Sequence, residues 1–225
     1  MKTVVITGAS RGIGLATAKK FLAEGWRVIG TYLDKSIPIE DSNFISIQYD
    51  QSNSESIARV ASQISSLAPH LDALVNNAGI LIDANDKVPD PAKLRKMLEV
   101  NVIGVVDLTE HLLSLFGNDS HIVNIDSGYG QLCRPVDDEF VAGYRISKAA
   151  LNMYTHHLAF RLKSQGMLVS SIAPGWVQTD MGYSIASETQ KPGRTPEQAA
   201  DDIFQLVTTV KESGHFWEYG KKIGW

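Results

Sequence analysis

Short apolar runs alternate along the chain with longer segments in which apolar residues recur every three or four positions. The short runs have the length and β-branched content of buried strands, and the longer segments have the period of a helix. The predicted strands cover residues 3–7, 27–32, 44–49, 72–76, 121–125 and 167–173. The predicted helices cover residues 12–24, 54–67, 91–116, 143–165 and 196–211.

Strands that alternate with helices predict an α/β fold with a doubly wound parallel sheet and helices on both of its faces. The connection at residues 33–43 is too short for a full crossover helix and contains Pro38, so a loop or a single turn is expected there. No linker, internal repeat or low-complexity tract interrupts the pattern. A single domain over residues 1–225 is therefore expected.

The composition narrows the range of functions. The chain has 21 basic and 25 acidic residues, for a net charge of −4, so neither nucleic acid nor an anionic membrane is an expected partner. A single cysteine, Cys133, cannot form an intramolecular disulfide, and no Cys/His group has metal-ligand spacing, so no metal is expected. With no signal-like or membrane-length apolar run, the expected location is the cytoplasm.

A glycine-rich segment joins the first predicted strand to the first helix. Gly8 allows a tight turn, Gly12 lets the backbone approach a pyrophosphate, and Gly14 allows close packing of helix on strand. The amides of this loop, at Ser10, Arg11 and Ile13 as well, lie at a helix N-terminus, which attracts anions. The context of strand, turn and helix predicts a dinucleotide site.

Two other interpretations of the same residues stay open. Gly8, Ser10 and Gly12 also fit the G-x-S-x-G elbow of a serine hydrolase, with Ser10 as nucleophile. That elbow needs an oxyanion donor from an earlier strand, and only seven residues precede Gly8, so the hydrolase is disfavoured. A turn without a ligand is the second alternative.

Five ordered motifs carry a resemblance to the short-chain dehydrogenase/reductase family. They are the TGxxxGxG motif at residues 7–14, the NNAG motif at 76–79, a mid-helix Asn101, Ser127 followed by YxxxK at 144–148, and the PG motif with its threonine at 174–179. The segment 143–152 and the aromatic C-terminus are similar to C-factor-like proteins and some carbonyl reductases. The resemblance implies a Rossmann-type fold.

The resemblance also implies a reaction. Tyr144 would be the general acid or base of hydride transfer between nicotinamide and a carbonyl or secondary alcohol, with Ser127 holding the substrate oxygen. Lys148 would bind the nicotinamide ribose, and Asn101 would help hold a water that relays protons. Tyr144 and Lys148 share a helix face, so the ammonium, together with a positively charged nicotinamide, is expected to lower the pKa of the phenol towards working pH.

The resemblance to the family also implies which residues contact the cofactor. The implied contacts are Gly8, Ser10, Arg11, Gly12, Ile13, Gly14, Tyr32, Asp50, Gln51, Asn77, Ala78, Gly79, Tyr144, Lys148, Pro174, Gly175, Val177 and Thr179. The second strand ends in Tyr32 rather than in a carboxylate that would repel a 2′-phosphate, and Arg11 or Lys35 can pair with one, so NADP(H) is favoured over NAD(H). Asp34 argues mildly for NAD(H).

Departures from the family pattern lie near the predicted substrate pocket. Ser127 and Tyr144 are 17 positions apart, which implies a small insertion at residues 131–141, including the acidic run at 137–139. Asp126 precedes Ser127 and is expected on the opposite face of the strand, away from catalysis.

Three functions stay open at this point. The favoured one is an oxidoreductase that acts on a small carbonyl or alcohol. The alternatives are a dinucleotide-binding sensor without turnover and, ranked last, an enzyme acting on sugar nucleotides, because few residues remain for a substrate domain. The resemblance implies a homodimer or homotetramer that uses the helices at residues 91–116 and 143–165.

Overall fold

A computed structural model describes residues 1–136 and 138–225; Asp137, in the acidic run noted above, lies outside the described residues. The strands are β1 Thr3–Ile6, β2 Arg27–Tyr32, β3 Phe44–Gln48, β4 Leu71–Asn76, β5 Phe116–Ile125, β6 Leu168–Ala173, β7 His215–Glu218 and β8 Lys221–Ile223. The helices are α1 Gly12–Ala23, α2 Ser54–Leu67, α3 Pro91–Leu98, α4 Gly104–Leu112, α5 Ala142–Leu162, α6 Asp180–Ser184 and α7 Pro196–Thr209.

The strands form one sheet in the order β3-β2-β1-β4-β5-β6-β7-β8. Strands β1 to β7 run parallel, and β8 returns antiparallel to β7. The chain order reverses beside β1, and in such sheets ligands bind outside the carboxyl ends of the strands at this switch point. The predicted doubly wound parallel sheet of a Rossmann-type α/β fold is confirmed.

Apolar cores lie on both faces of the sheet. Val5 of β1 joins the core that contains Leu108 of α4 and Leu158 of α5, whereas its neighbours Val4 and Ile6 join the core on the other face. Successive side chains of a strand point to opposite faces, so a strand buried on both faces is a continuous apolar run. This explains why β1 consists of the uninterrupted sequence Thr-Val-Val-Ile.

The long predicted helix at residues 91–116 is divided in the structure. A wide π-helical turn at Glu99–Ile103 separates α3 from α4, and a short 3₁₀ turn at Leu113–Leu115 follows. Phe116 then begins β5 and pairs with Leu71, five residues before the predicted start of this strand at His121. The helical period continues through the wide turn, so the periodicity alone does not reveal it.

Three short elements are absent from the sequence prediction: α6, β7 and β8. Strand β7 has four residues and β8 has three, too few for an alternating pattern to be recognised. Residues 33–43 contain no helix, as expected, and other element bounds differ from the prediction by one to three residues. Within the described part of the chain, no helix has both the length and the apolar character needed to span a membrane.

Candidate active site

A cleft of about 1340 Å³ opens at the carboxyl ends of β1, β4, β5 and β6. Of the predicted site residues, Asn101 does not line it, and all the others do. These are Gly8, Ser10, Arg11, Gly12, Ile13, Gly14, Tyr32, Asp50, Gln51, Asn77, Ala78, Gly79, Ser127, Tyr144, Lys148, Pro174, Gly175, Val177 and Thr179. The structure therefore gathers residues from motifs more than 160 positions apart around one cavity.

The glycine loop is held against the loop that follows β4. The hydroxyl of Thr7 accepts hydrogen bonds of 3.0 Å from the amides of both Asn77 and Ala78, and the side-chain amide of Asn77 donates to the carbonyl of Thr7 at 2.8 Å. Gly8 has a φ of +68°, which glycine adopts without strain. A Cβ on Gly14 would lie 2.2 Å from the carbonyl oxygen of Gly8, so this position requires glycine.

Tyr144 and Lys148 lie on the first turns of α5, which begins at a buried carboxylate. Oδ2 of Asp83 accepts hydrogen bonds from the amides of Gly143 at 2.7 Å and Tyr144 at 3.2 Å. Nζ of Lys148 donates to the carbonyl of Ile125 at 2.7 Å and lies 5.7 Å from the centre of the Tyr144 ring. Both side chains are buried, so α5 holds them in fixed positions.

The lowering of the Tyr144 pKa that was expected from Lys148 and nicotinamide together does not arise from the chain's own residues. Burial of the phenol raises its pKa above the ordinary value of 10.0, the charge of Asp126 raises it further, and a hydrogen bond involving Ser127 lowers it. Burial also lowers the pKa of Lys148, which Asp126 partly offsets. Desolvation is the largest effect on both groups, because burial disfavours the charged form of each. At neutral pH the phenol is therefore protonated.

Asp126 does not point away from the site, contrary to the expectation from strand alternation. It follows the last residue of β5, where the chain leaves the strand, and it lines the cleft. Its Oδ1 accepts a 2.7 Å hydrogen bond from the amide of Ser127, and its Oδ2 has no hydrogen-bond partner among the described residues. Burial raises the pKa of this carboxyl to about 7, against the opposing effects of Lys148 and of the Ser127 amide.

Asn101 lies in the wide turn between α3 and α4, behind the cleft. Its side-chain oxygen accepts from the amide of Ile80 at 2.8 Å, and its side-chain nitrogen donates to the carbonyl of Ile80 at 2.8 Å and to the hydroxyl of Ser147 at 3.0 Å. These bonds tie the wide turn to the loop after β4 and to α5. The side chain therefore supports the site from behind, and the predicted water relay remains a prediction.

Arg11 has a partner that the sequence did not indicate. It forms an ion pair with Asp180, the first residue of α6, and thereby joins the glycine loop to α6. Both side chains are exposed. Lys35, the other candidate for a 2′-phosphate, is not among the residues that line the cleft, whereas Lys19 of α1 is.

Sequence reasoning missed several lining residues because they belong to the elements that were not predicted. They are Asp180 and Met181 of α6, Glu218 at the end of β7 and Tyr219 directly after it. One available signal is Thr179, whose hydroxyl caps the N-terminus of α6 by accepting from the amide of Gly182 at 3.0 Å. A threonine followed by an aspartate is typical of a helix start.

The predicted insertion edges the cleft. Asp138 pairs with Arg145 at 2.7 Å, and the Arg145 guanidinium lies 4.2 Å from the centre of the Tyr129 ring. Glu139 pairs with Lys87, so two acidic residues of the run make ion pairs.

No histidine occurs among the described residues that line the cleft, so the hydrolase interpretation of Ser10 lacks the base that such an enzyme needs.

Comparison with known proteins identifies the family of the chain. A family profile described as short chain dehydrogenase matches residues 2–190. Serine 3-dehydrogenase of Rhizobium radiobacter is 30% identical over 223 residues, covering 92% of this chain and 87% of that protein. The carbonyl reductase Sniffer of D. melanogaster superposes with a TM-score of 0.88 at 26% identity, covering 100% of both chains.

A second solved structure extends the likeness to a protein with a bound dinucleotide. It is a short chain dehydrogenase from Burkholderia cenocepacia J2315 in complex with NADP, with a TM-score of 0.84 and 25% identity, covering 96% of this chain and 95% of that one. Together with the profile match over most of the sequence, these likenesses show that the chain belongs to the short-chain dehydrogenase/reductase family of oxidoreductases.

Proposed function

We propose that this protein is an NADP(H)-dependent oxidoreductase that interconverts a small carbonyl compound and the corresponding alcohol, with Tyr144 as general acid and base. The observation that carries the proposal is the placement of Ser127, Tyr144 and Lys148 on the wall of the same cleft as the glycine loop. A proton donor, an orienting hydroxyl and a cradle for a dinucleotide are the parts that hydride transfer to a carbonyl needs.

The residues present fit a nicotinamide dinucleotide. The φ angles of Gly8 and Gly12 are +68° and +56°, and a Cβ on Gly12 would lie 3.0 Å from Cγ2 of Thr179, so a side chain there would fill the cradle. Gly79 also leaves space that a side chain would fill. A Cβ added there would lie 3.2 Å from Oδ1 of Asn101 and 4.0 Å from Nζ of Lys148. The glycine loop would hold the pyrophosphate, and Lys148 the ribose near the nicotinamide.

Side chains of the protein orient the substrate and transfer the proton. When bound, the nicotinamide supplies or accepts the hydride. Ser127 orients the substrate oxygen through its hydroxyl, and Tyr144 gives a proton to that oxygen during reduction and takes it back during oxidation. Because burial raises the pKa of Tyr144, the phenol holds its proton at neutral pH, which suits carbonyl reduction.

Two observations support NADP(H) over NAD(H). Tyr32 occupies the end of β2, where a carboxylate would repel a 2′-phosphate, and it lines the cleft. The relative from Burkholderia cenocepacia J2315 was solved in complex with NADP. Arg11 remains the proposed partner of the 2′-phosphate and would exchange Asp180 for it.

The proposed assembly is a homodimer or homotetramer. Ile146, Met153 and Phe160 recur every seven residues along α5 and are 46%, 64% and 81% exposed. Residues with this spacing lie on one side of a helix, so the three form an apolar stripe. A stripe of this kind is typical of a contact between subunits.

The test is consumption of NADPH and of NADH against a panel of aldehydes, ketones, diones and quinones, with Tyr144→Phe as the matched variant. Turnover that falls by about 10²- to 10⁴-fold in the variant, while NADPH still binds, supports the proposal. Binding without turnover of any carbonyl would favour the alternative of a dinucleotide sensor. If neither cofactor binds, the interpretation of the glycine loop is wrong.

A further inference from the structure

Two opposite charges approach the bare backbone beside Ser127. A Cβ built on Gly128 would lie 2.8 Å from Nη1 of Arg134 and 4.0 Å from Oε1 of Glu218. Both side chains line the cleft, and Gly128 is the residue directly after Ser127. A guanidinium and a carboxylate therefore both lie within 4.0 Å of the position that a Cβ would take on the residue next to Ser127.

The segments that carry the two charged residues are held in place by hydrogen bonds and by strand pairing. Arg134 belongs to the inserted loop, which is tied to the C-terminal residues: Nε2 of Gln131 donates to the carbonyl of Gly224 at 2.8 Å, and the amide of Cys133 donates to the carbonyl of Trp225 at 3.1 Å. Glu218 is the last residue of β7, where it pairs with Ala173 of β6. The two charges thus come from a supported loop and from the sheet itself.

Neither charge is neutralised within the described part of the chain. Arg134 and Glu218 form no ion pair there, either with each other or with another residue, whereas Arg145 pairs with Asp138 and Arg194 pairs with Asp202. A cation and an anion that flank one point without contacting each other leave room for a ligand that carries both charges. A ligand with one charge would be attracted by one side chain and repelled by the other.

We propose that the substrate is a small 3-hydroxy or 3-oxo amino acid, whose carboxylate binds Arg134 and whose ammonium group binds Glu218. This inference rests on the proposed function and adds the substrate class. Arginine presents a planar pair of N–H donors that matches a carboxylate, and a carboxylate accepts from an ammonium group. Both contacts lie beside the reacting carbon, so they hold the substrate oxygen against Ser127 and Tyr144.

The proposed reaction is a two-electron oxidation of the alcohol by NADP⁺. In oxidation, the C3–H bond of the substrate breaks and its electron pair leaves as hydride to NADP⁺. The hydroxyl proton passes to the deprotonated phenol oxygen of Tyr144, and the C–O bond of the substrate becomes a carbonyl. Reduction reverses each step, and Arg134 and Glu218 keep their charges throughout.

Four alcohols test the inference because they share the group CH₃–CH(OH)– and differ in which charged groups they carry beside it. Threonine carries an ammonium and a carboxylate, 3-hydroxybutyrate only the carboxylate, 1-amino-2-propanol only the ammonium, and 2-butanol neither. We expect kcat/KM with NADP⁺ to be at least 10-fold higher for threonine, with its C3 diastereomer included, than for any of the other three. The measurement is made at pH 8.5, where more of the Tyr144 phenol is deprotonated and the ammonium groups still carry their charge.

Two charge-removing variants assign the two contacts. Arg134→Met is expected to lower kcat/KM for threonine by about 10- to 100-fold, because the carboxylate contact is lost. The kcat/KM for 1-amino-2-propanol, which has no carboxylate, should stay within about 3-fold of the native value. Glu218→Gln is expected to lower kcat/KM for threonine by a similar factor and to leave kcat/KM for 3-hydroxybutyrate unchanged. Arg59→Met on the exposed surface of α2 makes the same charge change outside the cleft and should leave all four rates unchanged.

A binding measurement adds a readout that does not depend on turnover. In the Tyr144→Phe variant with NADP⁺, calorimetry is expected to detect threonine, with the affinity falling when Arg134→Met is added. Equal kcat/KM values for the four alcohols would overturn the inference. So would variants that change all four rates by the same factor, because that is the result expected if Arg134 and Glu218 have only a structural role. If the carbonyl panel is reduced but none of the four alcohols is oxidised, the inference alone fails. If the panel is also inert, the proposed function fails with it.

Discussion

The amide of Ser127 donates a 2.7 Å hydrogen bond to Oδ1 of Asp126, which places a buried carboxyl directly beneath the proposed site of reaction. Burial raises the pKa of Asp126 from 3.8 to about 7. The folded protein therefore keeps a proton between about pH 4 and pH 7 that the unfolded chain has released. Since the folded state binds more protons in this window, stability falls as pH rises through it and then levels off above pH 7.

Asp126→Asn is expected to remove this dependence. The shift corresponds to a contribution on the order of 4 kcal/mol to the free energy of unfolding between pH 4 and pH 8. The variant should gain stability relative to the native protein as pH rises, as measured by urea denaturation at several pH values. Asp34→Asn, at an exposed position, is the control and should follow the native curve. Parallel curves for Asp126→Asn and the native protein would contradict the raised pKa.

The same variant tests the electrostatic link between Asp126 and Tyr144. The charge of Asp126 raises the pKa of Tyr144, so its removal should lower that pKa. Alcohol oxidation needs the deprotonated phenol, and its rate should therefore rise at lower pH in Asp126→Asn than in the native enzyme. The check is a profile of kcat/KM against pH in the oxidation direction. A change of rate with no shift along the pH axis would indicate a structural effect alone.

Gly14→Ala should disrupt the glycine loop. The added Cβ would lie 2.2 Å from the carbonyl oxygen of Gly8, and backbone cannot move away as a flexible side chain can. We expect a loss of at least about 2 kcal/mol of stability and weakened NADPH binding, measured by thermal unfolding with and without NADPH. Gly193→Ala is the matched control, because its Cβ meets nothing within 4 Å. Normal NADPH binding by Gly14→Ala would mean that this loop does not cradle the cofactor.

Arg11→Met tests the cofactor preference. If Arg11 exchanges Asp180 for the 2′-phosphate, the variant should bind NADPH about 10-fold more weakly and NADH unchanged, because only NADPH carries that phosphate. Fluorescence titration of both cofactors measures this. Lys35→Met serves as control, since Lys35 does not line the cleft. Equal losses for NADPH and NADH would show that Arg11 acts on the shared pyrophosphate or on the loop.

Phe160→Glu tests the proposed assembly. Phe160 is 81% exposed on α5, and a charge at the centre of a subunit contact is left without water or partner. The native protein should elute as a dimer or tetramer and the variant as a smaller species in chromatography with light scattering. Val88→Glu alters another exposed apolar residue, which lies in the loop before α3 rather than on the stripe of α5, and should leave the mass unchanged. A monomeric native protein would remove the basis of the proposal.

Much of the fold and part of the site were predictable from the sequence alone. Buried parallel strands are continuous apolar runs, and the glycines at 8, 12 and 14 follow the first of them directly, so the order of elements and the position of the dinucleotide loop are local properties of the chain. The shared face of Tyr144 and Lys148 follows from helical period. The short strands β7 and β8 were not predictable, because they form by pairing with β6 and with each other rather than through local preference.

The environment of each site residue was decided by the tertiary structure. Charge and spacing placed a cation beside the phenol of Tyr144 and predicted a lowered pKa, but the depth of burial, which depends on all surrounding elements, raises it instead. Asp126 faces the cleft because the chain leaves β5 there and strand alternation ends. Arg134 and Glu218 are 84 positions apart, and only the closing of the C-terminal hairpin against the inserted loop brings them to Gly128. Hydrophobic period and turn chemistry act over a few residues, whereas desolvation and charge act through space, and they are determined only once the chain has folded.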